Sequence, residues 1–258
     1  MNSISGISAV IIAFNEEKNI GRCLDSLQGV ADEVVVVDSF STDRTVSICK
    51  EKGARVVQHP FMGHVHQKNF ALQQATHDWI MSLDADEALD DVLRKALLRE
   101  KQHPTARAYF VNRLSNFCGK WIRHGAWYPD RKIRFWHKSC GRWGGQDPHD
   151  RVVLRPGTST KTLPGHLLHY TASDVESYRK KLYAYATIAA QAMFEQDRGP
   201  IFCVGVRAAW MFGRSYVLRL GFLDGKYGFI IAKLIYDYTY KKYALLGELH
   251  RKKSAVSS

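Results

Sequence analysis

Apolar and polar positions alternate between two periods in the first hundred residues. Ser8 to Phe14 is a short apolar run suited to a strand covered on both faces. Asn15 then offers an N-cap, with Glu16 and Glu17 at the positive end of a helix. Ile20, Cys23, Leu24 and Leu27 repeat at i, i+3, i+4 and i+7, and Gly29 ends that helix. Val34 to Val37 predicts a second buried strand. Ser41, Thr42 and Asp43 offer caps for the helix after it, which Gly53 closes. Arg55 to Gln58 predicts a third strand, residues 64–75 a helix, and Trp79 to Leu83 a fourth strand. Leu89, Val92, Leu93, Ala96 and Leu97 mark a further amphipathic helix. Strands separated by helix-length segments predict a doubly wound α/β fold with parallel pairing and right-handed crossovers.

Residues 104–170 change character. They are rich in Trp, Arg, His and Gly, with strand-like pieces at Ala108 to Val111 and Ile133 to Trp136. A mixed or antiparallel extension of the sheet with long loops is expected. From Ser173 the pattern turns helical. Ser173 and Glu176 have capping-box spacing, and Val175, Tyr178, Leu182, Tyr185, Ala189 and Met193 form a stripe broken by Gly199 and Pro200. Residues 201–223 and 224–247 predict two more aromatic-rich helices. The expected division is an α/β domain over 1–172 and a basic helical region over 173–258.

The net charge of +12 changes the picture because it is uneven. Residues 198–258 hold 11 Lys and Arg against 3 Asp and Glu. Such a segment suits an anionic membrane, an acidic polymer or nucleic acid. Arg207, Arg214 and Arg219 interrupt 201–223, so it is read as a helix lying in the headgroup region or packed on the domain, not as a span. Five cysteines without a C-x-x-C pair point to neither a disulfide framework nor a zinc cluster, and no signal peptide opens the sequence. A cytoplasmic location is expected.

In a parallel sheet, ligands bind beyond the carboxyl ends of the strands. The polar residues there are Asn15 and Glu16, Asp38 and Ser39, and Asp84 and Asp86. Two carboxylates one residue apart can share a divalent cation with a diphosphate, or can cap the next helix. Asp38 can accept a hydrogen bond from a ribose or base, while Ser41 to Asp43 suit a cap. Asp147 and Asp150 are the carboxylates of a Gly- and Trp-rich loop and the candidates for a general base; Asp150 comes first, unless it only pairs with Arg151 or Arg142. Trp121, Trp127, Trp136 and Trp143 offer faces for sugar stacking or for ordinary packing. His59, His64, His66 and His77 lack ligand spacing.

Ala13-Phe14-Asn15-Glu16, Val37 through Asp43, and Leu83-Asp84-Ala85-Asp86-Glu87 together resemble the inverting family 2 glycosyltransferases. More narrowly, the chain is similar to bacterial β-1,4-glucosyltransferases of the lipopolysaccharide inner core, with His149-Asp150 near that group's His-Glu pair and His169 before a similar helix. The resemblance covers about residues 7–190 and implies a GT-A fold, a UDP-sugar donor such as UDP-glucose, Mg²⁺ or Mn²⁺, and a lipid-linked glycan acceptor at the inner face of the bacterial inner membrane. It implies that Phe14, Asn15 and Glu16 line the nucleotide pocket and that Asp38 contacts uracil or ribose. Lys68 would lie near the diphosphate, Asp84 would touch ribose or metal-bound water, and Asp86 would ligate the metal. The chain departs from the pattern with Ser-Phe-Ser after Asp38 and with Asp, one methylene shorter than Glu, at 150. Transfer to polyprenyl phosphate or another surface polysaccharide is the alternative within this class. A dinucleotide-dependent oxidoreductase lacks its G-x-G-x-x-G, and a nucleic-acid-binding protein, suggested by the basic charge, lacks a reader motif.

Overall fold

A computed structural model of the chain describes residues 3–146 and 149–256. It divides into two compact units. The first comprises residues 1–114 and 130–170, the second 115–129 and 171–258. The second therefore takes in residues 115–129, which the sequence pattern assigned to the first.

The first unit is built on β1 (Ile7–Ala13), β2 (Glu33–Asp38), β3 (Arg55–Gln58) and β4 (Trp79–Asp84). These pair in parallel in the order β3-β2-β1-β4. Between them run α1 (Ile20–Leu27), α2 (Thr45–Glu51) and α3 (His64–Gln73). After β4 come β5 (Glu87–Leu89) and α4 (Asp91–Gln102), and then β6 (Ala108–Phe117), β7 (Lys120–Trp121) and β8 (Asp130–His137). β9 (Gly141–Gln146) and β10 (His149–Leu154) form a separate antiparallel hairpin. β11 (Thr160–Ala172) returns to the sheet, whose order continues β4-β8-β6-β11-β5. The expected antiparallel extension is present.

Alternation along the strands sorts side chains to two cores. Ile7, Ala9, Ile11 and Ala13 of β1 join Val36, Met81 and Leu83 on one face, against Leu24 and Leu27 of α1 and Leu93 and Leu97 of α4. Val10, Val35, Val37 and Ile80 face the other way, against Ala71 of α3 and against Trp136, Trp143 and Val152. Fully burying one such aliphatic side chain contributes roughly 1.5–3 kcal/mol, so a one-residue slip of β1 would be heavily penalised.

The helix starts differ from those the sequence suggests. Asn15 is not an N-cap: it sits at φ 53° in a loop, and α1 begins only at Ile20. Asp90, not an earlier acid, caps α4 by accepting from Leu93 N at 2.7 Å. That removes helix capping as the role of Asp84, Asp86 and Glu87.

In the second unit, α5 (Val175–Glu195), α6 (Val204–Gly213) and α7 (Gly225–Val256) carry the length. The cap of α5 is Asp174 rather than Ser173; it accepts from Glu176 N and Ser177 N. The expected helix over 201–223 is α-helical to Gly213, continues as a π-helical turn over Arg214–Leu218, and gives way past Leu220, at φ 58°, to a 3-10 turn over Gly221–Asp224. Phe117, Ile122, Ile231 and Leu234 form this unit's core with Trp127 and Tyr178 packed on it. Buried Asp224 accepts from Arg123 N at 3.1 Å and His124 N at 2.8 Å, tying the 115–129 segment to the start of α7. Among the described residues no helix is long and apolar enough to cross a membrane.

Candidate active site

Strand register brings the predicted acidic residues together. In β1, Ala13 lies opposite Asp38 of β2 and Ile12 opposite Asp84 of β4. The two carboxylates therefore flank the carboxyl end of β1, where the chain leaves for opposite sides of the sheet.

On the β2 side two loops interlock. Asn15 N donates to Ser41 Oγ at 2.9 Å, Thr42 N donates to Asn15 Oδ1 at 2.8 Å, and Glu16 N donates to Thr45 Oγ1 at 2.8 Å. These bonds hold Asn15 in its left-handed conformation and leave the Phe14 ring 56% exposed. Asp38 is fully buried; it accepts from Ser41 N at 3.0 Å and from Ser41 Oγ. Its carboxylate thus holds the 39–42 loop.

On the β4 side lies a charge network. Lys68, on the buried face of α3 and only 5% exposed, places Nζ 2.8 Å from Asp84 Oδ1 and 2.7 Å from Asp150 Oδ2. Its ammonium also stands 4.4 Å from the centre of the Trp143 ring. The neighbouring Asn69 fixes the hairpin backbone, donating to Trp143 O at 2.9 Å and accepting from Trp143 N at 3.1 Å. One helical dipeptide thus positions the hairpin that carries Asp150. The other oxygen of Asp84 meets Arg134 at 2.9 Å, and Arg134 also meets buried Glu87 at 2.8 Å. Burial alone would raise the Asp84 carboxyl; Lys68 and Arg134 outweigh it and hold the group well below the usual carboxylate range. Burial would likewise lower the Arg134 guanidinium, but Glu87 and Asp84 push it further up. Such a buried ion-pair network is expensive to disturb, because removing one partner strands the other.

Asp150 is therefore paired with Lys68, not with Arg151 or Arg142. Asp147 lies outside the described residues. Asp86 Oδ2 stands 3.3 Å from His169 Nε2 on β11. Both oxygens of Asp84 are engaged by cations, while Asp86 faces the imidazole of His169. No group of three or more His, Cys, Asp or Glu side chains suited to a metal occurs among the described residues. A carboxylate and an imidazole fit an ion that takes its remaining ligands from a diphosphate.

The sequence pattern did not single out Arg134, and it named Glu87, Trp143 and His169 without the partners that the fold gives them. Of the four tryptophans, Trp136 is fully buried and Trp127 packs on Phe117 and Tyr178, so packing accounts for both. A cleft of about 510 Å³ opens beside this network, lined by Lys68, Asp84, Trp143 and Asp150 among others. Two interlocked loops at the strand ends, a carboxylate–imidazole pair and a carboxylate facing a cleft are parts that can serve transfer of a group from an activated diphosphate.

The profile described as Glycosyl transferase family 2 matches residues 8–156. A lipopolysaccharide core biosynthesis glycosyltransferase, LpsC of Rhizobium meliloti, is 30% identical over 93% of this chain and 93% of its own length. A glycosyltransferase of Rickettsia bellii is 30% identical over 94% of this chain and 86% of its own. Among solved structures, glucosyl-3-phosphoglycerate synthase from Mycobacterium tuberculosis, in complex with Mn²⁺, UDP and glucosyl-3-phosphoglycerate, is 27% identical with a TM-score of 0.36. That match spans only 43% of this chain and 44% of the other.

Proposed function

Because the chain belongs to glycosyl transferase family 2, we propose that it moves glucose from UDP-glucose, with inversion, onto a hydroxyl of a lipopolysaccharide-core or related cell-envelope glycan. The observation that carries this reading is Asp150, held beside Asp84 by Lys68 at the mouth of a cleft. The donor's nucleotide lies against Phe14, Asn15 and Glu16, on the loop that Asp38 braces. Asp86, with His169 beside it, would hold Mg²⁺ or Mn²⁺, and Asp84 would meet ribose or metal-bound water. The ion, when bound, neutralises charge on the leaving nucleoside diphosphate. Inversion by a single displacement needs one base on the acceptor side. Asp150 takes the proton from the acceptor hydroxyl as that oxygen attacks the anomeric carbon. Similarity to LpsC supports the acceptor class. A lipid-linked acceptor places the enzyme at the cytoplasmic face of the inner membrane.

The test is a panel of nucleotide sugars with Mg²⁺ or Mn²⁺, scored for nucleotide release with and without lipopolysaccharide core fragments. UDP at about 100 times its Kd stabilises the fold by roughly 2.7 kcal/mol in the presence of the ion. Asp86→Ala removes most of the metal dependence. An equal thermal shift with chelator and with Mn²⁺ rules out the metal assignment.

A further inference from the structure

The cleft beside Asp150 carries more positive charge than the transfer step uses. Six basic residues line it, Lys68, Arg113, Arg131, Lys132, Arg134 and Arg151, against two acids, Asp84 and Asp150. Four of the six are already neutralised. Lys68 and Arg134 belong to the Asp84 network, and Arg113 and Lys132 both meet Asp130, at 2.8 and 3.1 Å. Arg131 and Arg151 are exposed and form no ion pair with a described residue. Two buried donors are also unmatched among the described residues: Nε of Arg134 and Nε1 of Trp143, on side chains 3% exposed that both line the cleft. A buried donor without an acceptor is costly, and an anionic oxygen is its strongest partner. Arg131 also lines a neighbouring cavity of about 220 Å³ with Phe110, Thr160, Lys161 and Thr162. Basic residues therefore continue from Arg131 on β8 to Lys161 on β11.

The geometry points to an acceptor subsite for an anionic sugar, one that bears a phosphate monoester or a carboxylate close to the hydroxyl that is glycosylated. This rests on the assignment of Asp150 to the acceptor side. Arg131 and Arg151 grip the anionic group, and guanidinium forks match either anion through paired N–H donors. The donor's own diphosphate is a separate charge, served at the ends of β1 and β4.

Binding of a lipopolysaccharide core oligosaccharide is measured by calorimetry in three forms: intact, phosphatase-treated and carboxyl-reduced. Wild type is compared with R131Q, R151Q and the double variant, and UDP binding is measured on each protein. Both arginines are exposed, so the variants keep the fold. Loss of affinity of about 10–100-fold is expected for one treated form and for the double variant with the intact form, with UDP binding within about twofold of wild type. The treatment that costs the affinity tells phosphate from carboxylate. Equal affinity for all three forms overturns the subsite, and so does an equal loss of UDP binding in the double variant. If the oligosaccharide binds as expected but no sugar is transferred from any donor, the proposed reaction fails while the subsite stands.

Discussion

At the scale of single residues, Lys68 shapes the chemistry most. Its ammonium is shared by Asp84 and Asp150, which the proposed reaction puts on the donor and acceptor sides. A point charge on a flexible stem can follow either partner as substrates arrive, which a planar guanidinium would do less readily. Asp150→Asn keeps a hydrogen-bond acceptor for Lys68 and removes the base. It is expected to slow transfer by about 10²–10⁴ while UDP binding stays near wild type, as measured by steady-state rates and by nucleotide titration on the same preparation. Asp147→Asn is the paired control. Loss of turnover in Asp147→Asn with activity retained in Asp150→Asn would transfer the role to Asp147, and activity in both would move the base out of this hairpin.

At the scale of elements, Glu33 ties the parallel strands to one another. It accepts from Ser8 Oγ of β1 at 2.6 Å, from Thr76 N ahead of β4 at 2.9 Å, and from Arg55 of β3 at 3.0 Å. Burial would raise this carboxyl, but the bonds from Ser8, Thr76 and Arg55 bring it from 4.5 down to about 2. A carboxyl held below its unfolded value stabilises the fold fully above about pH 4.5 and loses that contribution as pH falls through about 2. Glu33→Gln is therefore expected to lower stability near neutral pH and to flatten the decline between those limits, read from denaturant midpoints at a series of pH values. An unchanged acid slope in the variant would show that other carboxylates set it. These strands were legible in the sequence because burial on both faces writes an unbroken apolar run, as in Val34 to Val37. Caps were less legible: Asn15 has the composition of an N-cap, yet its contacts to Ser41 and Thr42, 26 and 27 residues away, decide its conformation. The Asp150 hairpin was hardest. Its contact with Lys68 spans 82 residues, and such a pairing leaves no periodic trace in either segment. Asp84 and Asp86 were readable because they stand at the end of a buried strand; Arg134 of β8 was not, and His169 of β11 was read only from its place before a helix, not as the partner of Asp86.

At the scale of the whole molecule, charge and apolar surface coincide in the second unit. Val217, Leu218, Leu220, Phe222 and Leu223 are each 45–63% exposed, and Trp210 is 60% exposed. Arg207, Arg214 and Arg219 are exposed among them. Apolar side chains interleaved with arginines suit the headgroup region of an anionic leaflet, where each basic residue contributes about 1 kcal/mol. Changing the three arginines together to Gln is expected to cost about 3 kcal/mol of membrane affinity and to leave activity on a soluble acceptor fragment unchanged. Liposome co-sedimentation at low and high salt decides it: equal sedimentation of wild type and triple variant, or no binding at low salt, rules out docking by this surface.

The chain passes from one unit to the other three times, at 114/115, 129/130 and 170/171. A tail that begins at Thr171 is consequently not a detachable module. Cutting there would leave Phe117, Ile122 and Trp127 without the helices they pack against, and would remove Asp224 from the backbone of Arg123 and His124. Shuffling this region between homologues by a single crossover would join mismatched halves of one core. Any recombination that exchanges it has to carry the 115–129 excursion with it, so the two segments are expected to be inherited as a linked pair.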